Sequence, residues 1–329
     1  MKSTRAIKVI TSLSVGVVLL ASLSWIGLGQ VSGRIDRISV FAGLDNRPEK
    51  TSKALNYLLV GSDTREGLTK EEMKALRVGS TKTAAGGRSD TMLLVHISKK
   101  RDKAFLVSLP RDSLVTIPAH LSTDGKTQIP DRENKLNAAF AFGGPPLLIE
   151  TIERATNLKM DHYIEVSFAG FAGIVNALGG IEVCTKVDID DPKSHLVLSA
   201  GTHTLDGIEA LKYVRTRDFD GRGDIGRMQR QQQFMSSVIK KATSTGVLLN
   251  PIKLTNFLNA AISTVKMDEN LSKNDLLDLA KQMRGLSSGN VRTLTVPLKT
   301  ANGRHPTAGS VVIWDPVLSA DLWTRIRDD

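Results

Sequence analysis

Short apolar runs broken by polar stops set the rhythm of this chain from Leu55 onward. Leu55 to Val60 (Leu-Asn-Tyr-Leu-Leu-Val) is mostly apolar and closes on Gly61-Ser62-Asp63-Thr64-Arg65, the pattern of a strand buried on both faces. Asp63 then sits at the carboxyl end of a strand, where α/β folds place ligands. Thr69 with Glu72 three residues later predicts a capping box for a short helix to about Leu76, and Gly79 to Gly87 reads as a mobile loop. Thr91 to Ile97 and Ala104 to Leu109 flank the polar turn Lys99 to Lys103, which predicts a hairpin returning Arg111 to the side of Asp90. Leu114 to Ile117 reads as a further strand.

A helix opens at Lys135 and is interrupted at Gly143-Gly144, and Pro145-Pro146 suit the first turn of its continuation to about Thr156. Tyr163 to Val166 reads as a strand, Phe168 to Leu178 as an apolar helix stopped by Gly179-Gly180, and Ile181 to Cys184 as another strand. Helices are expected near Pro251 to Val265 and Ser272 to Leu286, strands near Val291 to Val296 and Val311 to Trp314, and a closing helix from about Val317. Strands alternating with helices predict an α/β or α-β-α layered domain over 54–329. Phe140, Phe142, Leu147, Leu148, Phe168 and Phe171 fit its core, or the lining of a slot for a lipid tail.

The N-terminus follows a different pattern. Val9 to Leu28 carries no charge and has about the 20 residues that cross a bilayer. Lys2, Arg5 and Lys8 precede it, which predicts a cytoplasmic 1–8, a transmembrane anchor over 9–28 and everything after it outside the cell membrane. A cleaved signal is the other reading, but the apolar stretch is long and Gly27-Leu28-Gly29 is a poor cleavage site. Residues 29–53 are polar, mixed in charge and broken by Gly33, Gly43 and Pro48, and read as an extracytoplasmic tether.

Charge narrows the partners. The chain has 329 residues and a formal net charge of +10, so it should seek anions: nucleic acid, phospholipid headgroups or phosphorylated glycans. The predicted topology argues against nucleic acid. Cys184 is the only cysteine, which excludes an intrachain disulfide and a zinc site built on paired cysteines. There is no His-Glu-x-x-His, no Gly-x-Ser-x-Gly and no Gly-x-x-x-x-Gly-Lys-Ser/Thr, which weakens zinc, serine-hydrolase and nucleotide-driven readings.

The densest candidate chemistry lies between Leu211 and Gln231. If Tyr213 to Arg217 runs extended, Arg215 and Arg217 project to one side, and a new helix capped by Asp224 carries Arg227, Arg230 and Gln231 in its first turns. Guanidinium groups beside a helix N-terminus suit bidentate contacts to phosphate. An exposed, salt-bridged helix end is the bland alternative, and four arginines around one turn favour anion binding. For Asp112 turn chemistry suffices; Asp90, in Arg88-Ser89-Asp90, is singled out as functional.

Taken together, Asp63-Thr64-Arg65, Arg88-Ser89-Asp90-Thr91-Met92, Leu109-Pro110-Arg111-Asp112, Lys135-Leu136-Asn137-Ala138-Ala139, Leu205-Asp206-Gly207, Tyr213-Val214-Arg215-Thr216-Arg217 and Arg227-x-x-Arg230-Gln231-Gln232 resemble the ordered motifs of the LytR-CpsA-Psr family over roughly Leu55 to Ala242. The resemblance implies an α-β-α fold with a central mixed sheet and a hydrophobic tunnel for lipid. It implies a metal-dependent phosphotransferase that moves a glycopolymer from a polyprenyl-pyrophosphate carrier to peptidoglycan with Mg²⁺ or Mn²⁺. Position by position, Asp63 and Asp90 match the metal-binding acids, and Arg88, Arg111, Arg215, Arg217, Arg227 and Gln231 match the residues around the pyrophosphate. Asp90 and Arg111 would carry the chemistry. The long segment from Glu66 to Gly87 is a departure from the family pattern. A non-catalytic binder of anionic wall polymer, or a lipid pyrophosphate hydrolase, is the alternative.

Overall fold

The computed structural model describes residues 36–64, 68–76, 89–216, 223–244, 251–262, 264–282 and 290–329. Its centre is a seven-stranded mixed sheet. In chain order the strands are β1 (Asp36–Ile38), β2 (Leu55–Ser62), β3 (Ser89–Ile97), β4 (Ala104–Leu109), β5 (His162–Val166), β6 (Val265–Asp268) and β7 (Val291–Thr295). Across the sheet the order is β1-β6-β5-β2-β3-β4-β7. The β1/β6, β5/β2 and β4/β7 pairs are parallel and the others antiparallel. Four strands (β2, β4, β5 and β7) therefore finish at one end of the sheet, called here the carboxyl end, and β3 starts there.

The helices are α1 (Lys70–Ala75), α2 (Leu136–Thr156), α3 (Phe168–Ala177), α4 (Gly207–Arg215), α5 (Gly223–Ser244), α6 (Pro251–Ile262), α7 (Lys273–Gln282) and α8 (Pro316–Arg327). Side chains alternate across the pleat. Leu58, Val60, Met92, Leu94, Val107 and Leu109 pack with residues of α2 and α8 on one face. Tyr57, Leu59, Leu93, Val95 and Leu106 pack on the other with residues of α5, α6 and α7. This is helix on sheet on helix, as the alternation of elements predicts. A second core unites α3, α4 and Phe234 of α5 with the hairpin of Ile181–Thr185 and Gly201–Leu205.

Local signals act where expected. Thr69 and Glu72 form the capping box of α1. Non-helical Gly143 and Gly144 (φ 65°) split α2 before its two prolines, and Ser167 caps α3. Gly207, at the start of α4, lies so close to α3 that a Cβ there would stand 2.4 Å from the Ala172 carbonyl oxygen, so the two helices meet backbone to backbone.

Three expectations need correction. The tether predicted over 29–53 is packed chain from Asp36: β1 joins the sheet, Val40 is fully buried, and Arg47 binds Glu153 through Nε and Nη2 while also donating to the Met160 carbonyl. These contacts reach more than a hundred residues along the chain, so a local polarity pattern misses them. Val265, expected at the end of a helix, instead begins β6, an interior strand between β1 and β5. The helix stops at Ile262, and Thr264 donates both its N–H and its hydroxyl to Ala261 O. Tyr213 to Arg215 is helical, not extended, because the Asp206/Glu209 capping box starts α4 early enough to carry it to Arg215; only Thr216 turns to extended geometry.

The expected anchor over 9–28 and the loop over 79–87 lie outside the described residues. Among those described, no helix is long and apolar enough to cross a membrane.

Candidate functional site

The carboxyl end of the sheet gathers most of the singled-out residues. Asp63 follows directly on β2 and is half-buried. Beside it β3 begins: Gly61 pairs with Thr91 and Ser62 with Ser89, so Asp90 is the extra residue of a β-bulge. The β3/β4 register ends at the Met92–Leu109 pair, which leaves Arg111 two residues past β4 and Asp90 two residues before Met92, at the same end of the sheet. The side chain of Asp90 lies outside the described residues, as do Arg88 and Arg217 entirely.

Arg111 is half-buried, with Nε 3.4 Å from Asp112 Oδ2. Asp112 also meets Lys135 Nζ at 3.2 Å. Lys135 is the N-cap residue of α2, and Asn137 N–H donates to the Arg111 carbonyl at 2.9 Å, so the start of α2 is fastened to the chain leaving β4. Asp112, assigned to turn chemistry from its neighbours in sequence, thus links two cationic groups.

From the other side α4 brings Arg215. Its guanidinium carbon lies 5.2 Å from the centre of the Phe168 ring, a cation–π distance. Phe168 opens α3 after β5, and its N–H donates to Thr64 O at 3.4 Å. The path Asp63–Thr64–Phe168–Arg215 is therefore one of direct neighbours, and it connects the acidic strand end to the arginine-rich turn. Phe168, grouped with the core from sequence, is also the platform under Arg215.

Helix α5 holds this turn in place. Gln231 Nε2 donates to Val214 O at 3.3 Å, and Arg230 Nη2 to Thr216 O at 2.7 Å. Both carbonyls belong to the end of α4, where no intrahelical donor remains. Arg230 is buried and Arg227, one turn earlier, is half-buried. Spacing from Arg227 shows that Arg230 belongs to the same helix start; its use as a clamp on a carbonyl 14 residues away is visible only in the structure. Burial raises the Tyr213 hydroxyl above the usual phenol range, with the Arg230 guanidinium pulling the other way, so the tyrosine stays neutral.

A cleft of about 750 Å³ adjoins this arrangement, lined by Val183, Cys184, Tyr213, Gln233, Ser236, Ser237 and Thr293. Its lining is mixed in polarity. Among the described residues no three His, Cys, Asp or Glu side chains cluster as a metal site. Two acids at adjoining strand ends are nevertheless a hard-oxygen donor set of the sort with which Mg²⁺ is held, through one or two carboxylates and the substrate's own phosphate oxygens.

The sequence profile of the LytR-CpsA-Psr family matches residues 34–316. A probable cell wall biosynthesis protein, LcpB of Corynebacterium glutamicum, is 38% identical over 272 residues, covering 83% of this chain and 61% of its own length. The chain thus spans about three fifths of that curated relative. TagU of Bacillus anthracis, a polyisoprenyl-teichoic acid–peptidoglycan teichoic acid transferase, is 30% identical over 269 residues, covering 81% of this chain and 83% of its own. Among solved structures, TagV of Bacillus subtilis superposes with a TM-score of 0.65 at 25% identity, covering 84% of this chain and 97% of TagV.

Proposed function

The chain belongs to the LytR-CpsA-Psr family, and from that membership we propose that it transfers a glycopolymer, with its phosphate, from a polyprenyl-pyrophosphate carrier to peptidoglycan at the outer face of the cell membrane. The observation that carries the reading is the continuous path from Asp63 through Thr64 and Phe168 to Arg215, which links a guanidinium to the acidic strand end. A neutral substrate needs no such concentration of arginine; a pyrophosphate, with charge on both phosphoryl groups, does.

In this reading Arg111, Arg215 and Arg227, joined by Arg88, Arg217 and Gln231, hold the non-bridging oxygens of the pyrophosphate. A sugar hydroxyl of peptidoglycan attacks the glycan-linked phosphorus in line. The new C–O–P bond forms as the bridging P–O bond to the lipid phosphate breaks, Asp90 accepts the hydroxyl proton, and polyprenyl phosphate departs. Charge builds on that departing phosphate, where Arg111 offsets it. Asp63 and Asp90 would hold Mg²⁺ or Mn²⁺, which supplies further positive charge to the phosphates. We assign the start of the implied lipid tunnel to the cleft lined by Tyr213 and by Gln233, Ser236 and Ser237, because it lies between the two helices that also carry the proposed phosphate ligands Arg215 and Gln231. Its mixed lining suits the first units of the carrier rather than the whole lipid.

The test incubates purified protein with polyprenyl-pyrophosphate glycan, a peptidoglycan oligomer and Mg²⁺, followed by mass spectrometry. A phosphodiester-linked product is expected. It should disappear in Asp63→Ala and Asp90→Ala, both remaining folded by circular dichroism. Free glycan phosphate alone would make the protein a hydrolase, and donor binding without turnover would make it a wall-polymer binder; either result rejects the proposal.

A further inference from the structure

Strand β1 enters the sheet in an informative direction. It runs parallel to β6, with Asp36 paired to Lys266, and β6 runs antiparallel to β5. Following the register across, Lys266 pairs with Glu165, Glu165 with Val60, and Val60 with Met92. Asp36 therefore joins the sheet close to its carboxyl end, level with residues two or three places from Asp63 and Asp90. Only seven residues, 29–35, separate this point from Leu28, the last residue of the uncharged stretch.

We infer that the carboxyl end of the sheet, with the arginine site on it, lies against the surface of the membrane in which Val9 to Leu28 is anchored. This rests on the proposed membrane topology and deepens the proposed function by fixing how the site meets a lipid-borne donor. Lengths decide it. A relaxed seven-residue connector spans about 15 Å, and a fully extended one at most about 25 Å. The eight-residue strand β2 is itself about 26 Å tall. Turning the opposite end of the sheet to the bilayer would require the connector to run the height of the domain at full stretch, whereas the carboxyl end is reached with slack.

Sideways the reach is sufficient too. Asp63 lies three strands from β1 and Arg111 five, or about 14 and 24 Å at normal strand spacing. Charge agrees: half-buried Arg111 and Arg215 are at this end, with half-buried Arg227 one turn before the Arg230 clamp on Thr216, and Arg88, Arg217 and Arg222 adjoin it in sequence. A cationic face of this kind is drawn to anionic headgroups. The donor would then be met at the depth of its own pyrophosphate.

Orientation can be read by energy transfer. The full chain, in a Cys184→Ser background, is reconstituted into anionic vesicles carrying an acceptor dye on the headgroup. A donor dye is attached either through Lys299→Cys, exposed four residues beyond the carboxyl-side end of β7 and across the sheet from β1, or through Lys100→Cys, exposed in the turn joining β3 to β4 at the opposite end. Transfer should be several-fold greater from position 299 and vanish from both on solubilisation in detergent. Equal transfer, or more from position 100, overturns the inference, as does release of the protein from vesicles by an alkaline wash. Polymer transfer measured in detergent, where no surface exists, reads the functional proposal separately.

Discussion

The two ends of the central sheet handle charge differently. At the opposite end, acids and bases meet one another. Arg47 pairs with buried Glu153, which also accepts from Met160 N–H. His162 Nδ1 lies 3.2 Å from fully buried Asp268, which also accepts from Tyr163 N–H. His96 sits between Asn56 and Asp329. At the carboxyl end Arg111 meets Asp112, while Arg230 also binds a carbonyl and Arg215 stands over an aromatic ring. Opposite charges brought together at one end neutralise each other and knit distant segments. One end ties distant segments together by ion pairs, and the other gathers guanidinium groups around a single turn.

Breaking a pair at the opposite end should give the largest effect. Glu153→Ala leaves Arg47 without its carboxylate and Met160 N–H without an acceptor, and should lower unfolding free energy by about 3–5 kcal/mol in denaturant titrations. Turnover per folded molecule should not change. A matching loss of turnover would mean that the two ends are not separate.

Arg215→Lys is the converse test. It keeps the charge but loses the planar fork, and should cost about 2.7–4 kcal/mol of transition-state stabilisation, roughly 10²–10³ in rate, with thermal stability intact. The loss should be the same for two donors that share the lipid pyrophosphate and differ in glycan. Loss with one donor only would assign this arginine to the sugar.

Arg230→Met probes where the two roles overlap. Thr216 O would lose a buried partner, for a cost of about 1–3 kcal/mol in stability. Because Arg215 adjoins Thr216, turnover should fall as well; unaltered kinetics would show that the clamp does not position Arg215.

The smallest effect is a pH dependence from His96. Burial is the main cause holding its pKa below the ordinary value, with Asp329 opposing. A histidine depressed in the fold favours the folded state when neutral. That stability is complete above the unfolded value of about 6.5 and declines as pH falls toward the folded one. Melting temperature should drop on acidification below that point, and less so in His96→Gln. The same slope in both proteins would place the acid sensitivity elsewhere.

What the sequence made legible was local. The β3/β4 hairpin, the capping box at Thr69, the break at Gly143-Gly144 and the cap at Ser167 each depend on residues a few positions apart. Strand β6 was not legible, because Val-Lys-Met-Asp becomes a strand by lying between β1 and β5. Packing of residues 36–53 was hidden for the same reason, since the partners of Arg37 and Arg47 lie more than a hundred residues on. At the site, the residue types were readable, and so was the hairpin that leaves Arg111 and Asp90 at one end of the sheet. The shape of the turn was not: alternation from Tyr213 to Arg217 mimics a strand, and the Asp206 cap overrides it.

The clamp of Arg230 on Thr216 has one more consequence. It joins the two stems of the connection over 217–222 through a side chain, so the spacing of α4 and α5 does not depend on how many residues lie between. Closing a flexible loop costs only about 0.6 kcal/mol more when its length doubles. Changes of length between the two helices would therefore leave Arg215 and Arg227 where the helices put them.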